Sequence, residues 1–407
     1  MKFAHIADCH IGGWRDPKLR ELSIEAFRTA VNTCIEKNID FLLIAGDLFN
    51  NSLPALDMLK STVTILQKLK QNNIPVYIIP GSHDFSPSGK TMLEVLEEAH
   101  LVKNVVRADK ELTQKHGKLV LKFTEDEKTG AKIAGLLGRK GMLEKYHYED
   151  LYHENLINEE GFKIFMFHTA LTELKPLELE KMESCPVSML PKTFNYYAGG
   201  HVHIVDHASL EGYDNIVYPG PLFPNNFYEL EKLGAGGFSI YENENIHYMP
   251  IKLKETSGII LDCNHLDPEK VETKLNKDIE DKDFTDMIVM IKLFGKLETG
   301  KVSNIGFKDI FNKLYDKGAY FVMKNTSSLL TKEFEEVRIS SGSIEELENN
   351  LIHEQAEQMQ LKGMDLQKQI EFTKNLIHNL HTEKQEGERV SDFEDRLCNE
   401  ICTLLGI

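Results

Sequence analysis

Two aspartates and four histidines stand where short hydrophobic runs stop. Asp8 and His10 follow Lys2–Ala7, Asp47 follows Phe41–Ala45 and a glycine, and His168 follows Phe162–Phe167; His201 and His203 follow Tyr196–Ala198 and two glycines. A fifth block, Gly81-Ser82-His83-Asp84, closes the run Pro75–Ile79. Carboxylate oxygens and imidazole nitrogens ligate divalent cations. In an α/β sheet the carboxyl ends of the strands open onto one rim, so five such stops predict that these side chains converge. Asp8 and His10, like His201 and His203, are two residues apart, and on an extended chain each pair points to one side. Two carboxylates and four imidazoles exceed the needs of one tetrahedral ion and suit two ions sharing a bridging carboxylate. The mixed nitrogen and oxygen set favours manganese, iron or zinc over magnesium. A lone histidine is more often structural, and His5, His100, His116, His147, His153 and His207 are read that way.

The elements that must carry these blocks are legible in the hydrophobic pattern. Over the first 100 residues the order is strand, helix, strand, helix, strand, helix, which predicts a largely parallel sheet. Asp16-Pro17 marks a helix start, and Leu59, Val63, Leu66 and Leu69 line one face of a second helix. Shorter strand candidates follow at Lys118–Phe123, Lys132–Leu137, Phe162–Phe167, Ile216–Tyr218, Gly237–Tyr241 and Ile246–Ile251, with Glu125–Gly130 as a hairpin turn. They predict a second sheet packed on the first. Beyond residue 255 the motifs stop, and strands at Gly258–Asp262, Met287–Phe294 and Ala319–Met323 alternate with two helices. The predicted organisation is a two-sheet α/β sandwich flanked by helices over 1–255, a small α+β module over 256–335 and a helical tail over 343–407. In the tail, Ser343-Ile344-Glu345-Glu346 and Ser391-Asp392-Phe393-Glu394 read as helix starts, and the second helix carries Phe393, Leu397, Ile401 and Leu404–Leu405 on one face.

With 407 residues, 41% hydrophobic, the chain has ample material for a core, and no apolar run approaches the length of a membrane span. The amino terminus enters a strand directly and carries no signal-like segment, so an intracellular, cytoplasmic protein with no membrane association is expected. Six scattered cysteines without Cys-x-x-Cys spacing argue against a disulfide framework. A net charge of −17 excludes a general electrostatic affinity for nucleic acid. Any such binding must come from a local surface.

The ordered blocks Asp8-x-His10, Gly46-Asp47, Gly81-x-His83-Asp84, His168 and Gly200-His201-x-His203 resemble the signature of calcineurin-like metallophosphoesterases. The flanks Phe3-Ala4-His5-Ile6-Ala7-Asp8-x-His10-Ile11-Gly12 and Ile44-Ala45-Gly46-Asp47-Leu48-Phe49 resemble more closely the double-strand-break repair nucleases of the meiotic-recombination-eleven/SbcD family. The resemblance covers about the first 250 residues by motif and the remainder by layout. It implies that Asp8, His10, Asp47 and His203 hold a first ion, and that His168 and His201 hold a second, with Asp47 bridging. The family usually has Asn where this chain has Ser82, which is the shorter and poorer ligand for the second ion, and often His where it has Asn50.

By the same resemblance the chain is a manganese-dependent 3′–5′ exonuclease and endonuclease acting on double- and single-stranded DNA ends. His83 is the candidate acid for the leaving alkoxide, with Asp84 fixing its tautomer. The family layout further implies a homodimer through the helices Leu56–Leu69 and Met92–Leu101, and a tail that docks an SMC-like coiled-coil ATPase of the Rad-fifty/SbcC type. Arg15, Lys18, Arg20, Lys90, Arg139 and Lys140 are the basic residues placed to reach the rim. Two other readings compete: a phosphoesterase of small phosphodiesters on the same scaffold, and a weakly catalytic scaffold for DNA ends.

Overall fold

Strand β1 (Lys2–Ile6) lies parallel to β2 (Phe41–Ala45), which is followed outward by β3 (Val76–Ile79) and β4 (Lys103–Asn104). Helix α1 (Pro17–Glu36) joins the first pair and α2 (Leu56–Gln71) the second. The side chain of Asp16 caps α1 by accepting from the Lys18 amide at 2.8 Å, with Pro17 at the first helical position, where its missing N–H costs nothing. Helix α3 (Met92–Glu98) precedes β4. All five residues of β2 are buried, as a strand covered on both faces requires. Leu42 and Ile44 pack toward α1 and α2, while Phe41, Leu43 and Ala45 face the second sheet.

Short helices α4 (Lys110–His116), α5 (Lys145–Glu149) and α6 (Glu154–Ile157) accompany the passage into that second sheet. It consists of β5 (Thr124–Glu125), β6 (Lys132–Gly135), β7 (Lys163–His168), β8 (Tyr196–Gly200), β9 (Val205–Leu210) and β10 (Tyr213–Pro219), in the order β5-β6-β7-β8-β10-β9. Its four central strands are parallel. Helix α7 (Phe227–Leu233) then leads to β11 (Gly236–Glu242) and β12 (Asn245–Ile251), which close the first sheet in the order β12-β11-β1-β2-β3-β4. Between the sheets, Phe3 stacks on Phe41 and Tyr241 at 4.9 and 4.8 Å and meets Tyr196 of the opposite sheet edge-on at 5.0 Å.

The hairpin expected at Glu125–Gly130 is present, β5 pairing antiparallel with β6. The strand expected over Lys118–Phe123 is not. Leu119 and Leu121 form only single bridges, to Leu151 and Ala108; Val120 and Leu121 are buried and Leu119 and Phe123 half-buried without a ladder. Strand β9 was not anticipated because it is an edge strand with alternating exposure and little apolar content.

Beyond these lie β13 (Thr256–Asp262), helix α8 (Pro268–Glu280), β14 (Ile288–Lys296), helix α9 (Phe307–Asp316) and β15 (Phe321–Leu330), the strands forming a sheet in the order β13-β14-β15. Helices at Leu366–Leu380 and Val390–Leu405 follow. The computed structural model describes residues 1–85, 91–139, 143–331, 352, 365–380 and 390–405. The helix start expected at Ser343 lies outside them, and the one at Ser391 falls within a residue of the observed start. The chain divides into one compact unit of Met1–Leu261, Lys274–Leu293 and Phe307–Asn325, and another of Asp262–Thr273, Phe294–Gly306 and Thr326–Ile407. Everything in the candidate site belongs to the first. Among the described residues no helix is long and apolar enough to cross a membrane.

Candidate metal centre

The carboxyl ends of β1, β2, β3, β7 and β8 carry the five blocks, and residues 8 to 10 continue alongside residues 46 to 48 after the strands end. The amides of Asp8, His10 and Ile11 donate to the carbonyls of Gly46, Asp47 and Leu48 at 3.2, 3.0 and 3.1 Å. Here the structure departs from simple strand alternation. Asp8, His10, Asp47, His201 and His203 all have left-handed backbones, with φ of 50°, 42°, 51°, 93° and 51°. For residues with a Cβ this conformation is strained by about 1–3 kcal/mol each, and it persists only where surrounding contacts over-determine it. Such outliers concentrate at functional sites, and here four of the five residues, Asp8, His10, Asp47 and His203, bring ligand atoms within 4.8 Å of others in the site.

Two glycines make the crossing of the sheets possible. Gly46 has φ of +88°, and a Cβ there would sit 2.2 Å from His168 Nδ1; one on Gly200 would sit 2.2 Å from the Ala45 carbonyl oxygen. His168 Nδ1 instead donates to that carbonyl at 2.8 Å, which aims Nε2 at Asp47 Oδ2, 3.2 Å away.

Three groups have ligand atoms within 4.8 Å of one another: Asp8 with His10 and His203, His10 with Asp47 and His83, and Asp8 with Asp47 and His168; all but His203 and His83 are buried. Asp8, His10 and Asp47 each belong to two of the groups. His10 Nε2 and His203 Nε2 face each other at 2.9 Å, a contact satisfied only by a proton or a cation. His10 Nδ1 is buried with no hydrogen-bond partner, and His168 Nε2 has only the Asp47 carboxylate at 3.2 Å. His201 enters none of the three groups; its ring packs on that of His168 at 5.2 Å, and its amide donates to both Asp8 oxygens at 3.0 Å. Ser82 Oγ reaches Asp47 Oδ2 only at 3.5 Å, while the His83 amide donates to Asp47 Oδ1 at 2.7 Å.

The electrostatics fit the same donor set. Burial resists charge on His168, but Asp47 beside it outweighs that and raises its pKa to about 10. Burial likewise resists charge on His203, yet its hydrogen bond to Glu229 and the charge of Asp8 raise it to about 9. His10 and His201 are pushed down to about 3, by burial first and then by the cationic His203 and His168 respectively. Asp8 is raised by burial; Asp47 is lowered despite burial, chiefly by His168. Two buried carboxylates thus demand positive charge, which divalent ions coordinated by the neighbouring imidazoles also supply.

Asp84 requires a correction. The sequence reading assigns it to the His83 ring, but its Oδ2 accepts from the amides of Leu48 and Gly81 at 3.2 and 3.1 Å, and its Oδ1 from Phe49 at 3.1 Å. It pins the turn after Asp47 to the end of β3. Burial and the Asp47 charge raise its pKa to about 7, against those amides. The group that orients His83 is the Asn50 carbonyl oxygen, 2.8 Å from Nδ1. A second residue invisible to motif reading is Glu229, whose Oε1 lies 3.0 Å from His203 Nδ1. Its only sequence signal is the helix start Asn226-Phe227-Tyr228-Glu229, where the Asn226 side chain accepts from the Glu229 amide. Of the basic residues, Lys18 is engaged with Tyr320, Arg20 with the carbonyls of Trp14 and Arg15, and Arg139 stacks 4.7 Å over Phe85; Arg15 is exposed. Lys90 and Lys140 lie outside the described residues.

A two-sheet sandwich with this rim of aspartates and histidines is a metallophosphoesterase architecture. Residues 1–205, just over half of the 407, match the calcineurin-like phosphoesterase family, and the chain belongs to that family. The DNA double-strand break repair protein Mre11 of Archaeoglobus fulgidus is 25% identical, the alignment covering 97% of this chain and 92% of that protein. Mre11 of Methanocaldococcus jannaschii is 28% identical over 85% of this chain and 88% of its own. Among solved structures, a dimetal phosphatase from Danio rerio has a TM-score of 0.37 at 11% identity, covering 61% of this chain and 95% of that one.

Proposed function

We propose that this chain is a two-metal DNA phosphodiesterase, an exo- and endonuclease that processes DNA ends in double-strand-break repair. The observation that supports the two-ion reading is the set of three overlapping ligand groups joined through Asp8, His10 and Asp47, which together hold more donors than one tetrahedral ion takes. Asp8, His10, Asp47 and His203 would hold one ion and His168, His201 and Asp47 the other, with Ser82 as a weak additional ligand. When bound there, two divalent ions, manganese on the mixed donor set, would supply an activated water and neutralise charge on the phosphodiester oxygens. The DNA substrate is supported by the near-full-length similarity to the archaeal Mre11 proteins.

The chain's own residues handle the proton. With Nδ1–H donated to the Asn50 carbonyl, Nε2 is the His83 nitrogen left to deliver a proton to the leaving oxygen. Asp84 acts only through the loop that carries His83.

Partners follow from the same similarity. The module over 256–335 would cap DNA, and the tail over 343–407 would dock an SMC-like ATPase, in an intracellular, nucleoid-associated complex. A homodimer through α2 and α3 is supported by Leu53, Leu56 and Val95, which remain 69%, 82% and 55% exposed, whereas Met58, Ile65, Leu93 and Leu96 are buried within the chain.

The test is cleavage of end-labelled duplex and single-stranded oligonucleotides with manganese, magnesium or chelator, on wild type and His83→Ala. Chelation should abolish cleavage, and His83→Ala should lower kcat by about 10²–10⁴ with metal content unchanged. Hydrolysis of bis(4-nitrophenyl) phosphate without cleavage of any oligonucleotide would defeat the DNA assignment. Loss of metal from His83→Ala would make His83 a ligand instead.

A further inference from the structure

Helix α7 is seven residues long, and a helix this short holds its place through tertiary contacts rather than through its own propensity. Where α7 sits decides how Glu229 meets His203. Its amino-terminal end is fixed beside the site: the Asn225 amide donates to Glu229 Oε2 at 2.7 Å, and the Trp14 indole donates to the Pro224 carbonyl at 3.0 Å. The far side of the helix is held by a different element. Glu231, two residues on and so about 200° around the helix from Glu229, accepts from Lys292 Nζ on both carboxylate oxygens, at 2.8 and 2.9 Å.

Lys292 belongs to β14 and lies 61 residues from Glu231 in sequence. Ile288, Met290 and Lys292 alternate along one face of that strand. The first two are buried in the same core cluster as Leu230, which stands between the two glutamates. Helix α7 thus lies between the metal centre and β14. With both oxygens engaged and side chains 34% and 26% exposed, the Lys292–Glu231 pair is better built than a solvated surface pair to hold the helix. The other ion pair of α7, Lys232 with Glu178, is more exposed and reaches one oxygen at 3.2 Å.

We infer that Lys292 and Glu231 are positioning residues for the metal centre: the pair holds α7 against β14 so that Glu229 keeps His203 turned toward the first ion. The inference rests on the two-metal reading and deepens it, because it makes β14 part of the support of the centre although that strand carries none of the ligand blocks. A displacement of β14 reaches the first ion through this contact.

The test is a calorimetric manganese titration of the full chain. Lys292→Met keeps the apolar stem and removes the charge, and Glu231→Gln breaks the pair from the other side. Each should weaken the first step about two- to thirtyfold, the range of couplings carried through packed elements. Lys292→Arg, which can still bond both oxygens, should recover most of the loss. Glu178→Gln, which removes the exposed pair, should leave the first step unchanged. In a Glu229→Ala background Lys292→Met should cost nothing further, since the route through Glu229 is already cut. Melting curves without metal verify that each variant is folded. An unchanged first step in Lys292→Met or Glu231→Gln, an equal loss in Glu178→Gln, or full additivity in Glu229→Ala with Lys292→Met overturns the inference and leaves the two-metal reading intact. A wild type that takes up no manganese overturns both.

Discussion

Glu229 Oε1 accepts a hydrogen bond from His203 Nδ1 at 3.0 Å, and this one contact decides which nitrogen of His203 faces the metal centre. With Nδ1–H committed to the carboxylate, Nε2 points at His10 Nε2, 2.9 Å away. Glu229 is itself fixed, by the Asn225 amide at 2.7 Å and by the Asn226 side chain. Carboxylates that orient a ligating imidazole raise its basicity and hold its ring. Glu229→Ala should therefore weaken manganese binding about 10- to 100-fold by calorimetric titration, and Glu229→Gln, whose amide oxygen still accepts, should recover most of the loss. Unchanged affinity in Glu229→Ala would remove Glu229 from the site.

Gly46→Ala should be among the most damaging single-methyl additions to this chain. It places a Cβ at φ of +88° and 2.2 Å from His168 Nδ1, so the ring must leave its bond to the Ala45 carbonyl. Gly117→Ala provides the control, since φ is +64° there but nothing lies within 4 Å. Urea unfolding should show a loss of about 1–2 kcal/mol for Gly117→Ala, from backbone strain alone, and about 2–4 kcal/mol for Gly46→Ala. Equal losses would mean that the His168 contact adds nothing.

The strand ends were readable because each block stops a hydrophobic run, and the parallel order β1, β2, β3 follows from the alternation with helices. Convergence of Asp8, Asp47 and His168 was therefore predictable. How they converge was not, because left-handed φ values at Asp8, His10, Asp47, His201 and His203 depend on contacts between distant segments. The same holds for Glu229, which is 26 residues from His203 in sequence, and for Asp84, whose adjacency to His83 suggested a contact that backbone amides take instead. Local pattern also failed at Lys118–Phe123, where Val120 and Leu121 are buried without strand pairing. Local signals name the residues; long-range contacts assign their roles.

Ser82 offers a gain-of-function test. Its hydroxyl stops 3.5 Å short of Asp47 Oδ2, and a longer amide from the same position would place a carbonyl oxygen further into the rim. Ser82→Asn should tighten binding of the weaker manganese ion by roughly three- to tenfold, since an added oxygen ligand raises affinity. The readout is the second step of a manganese titration. An unchanged second step would show that residue 82 lies outside the ligand set.

His5 makes stability depend on pH through a group that is not a ligand. It is fully buried in β1, with Nδ1 3.1 Å from the Tyr196 hydroxyl, and burial pushes its pKa down to about 3. In the unfolded chain it titrates near 6.5. Between those values the unfolded state binds a proton that the folded state refuses, so stability present above pH 6.5 is lost as pH falls. The slope from this one group is at most about 1.4 kcal/mol per pH unit. His5→Gln keeps a partner for Tyr196 and removes the titration. Its unfolding free energy should run parallel to wild type above pH 7 and decline less steeply between pH 6 and 4. The ligand histidines titrate in both proteins and cancel in the difference, so curves parallel down to pH 4 would show that His5 already carries its proton in the folded chain.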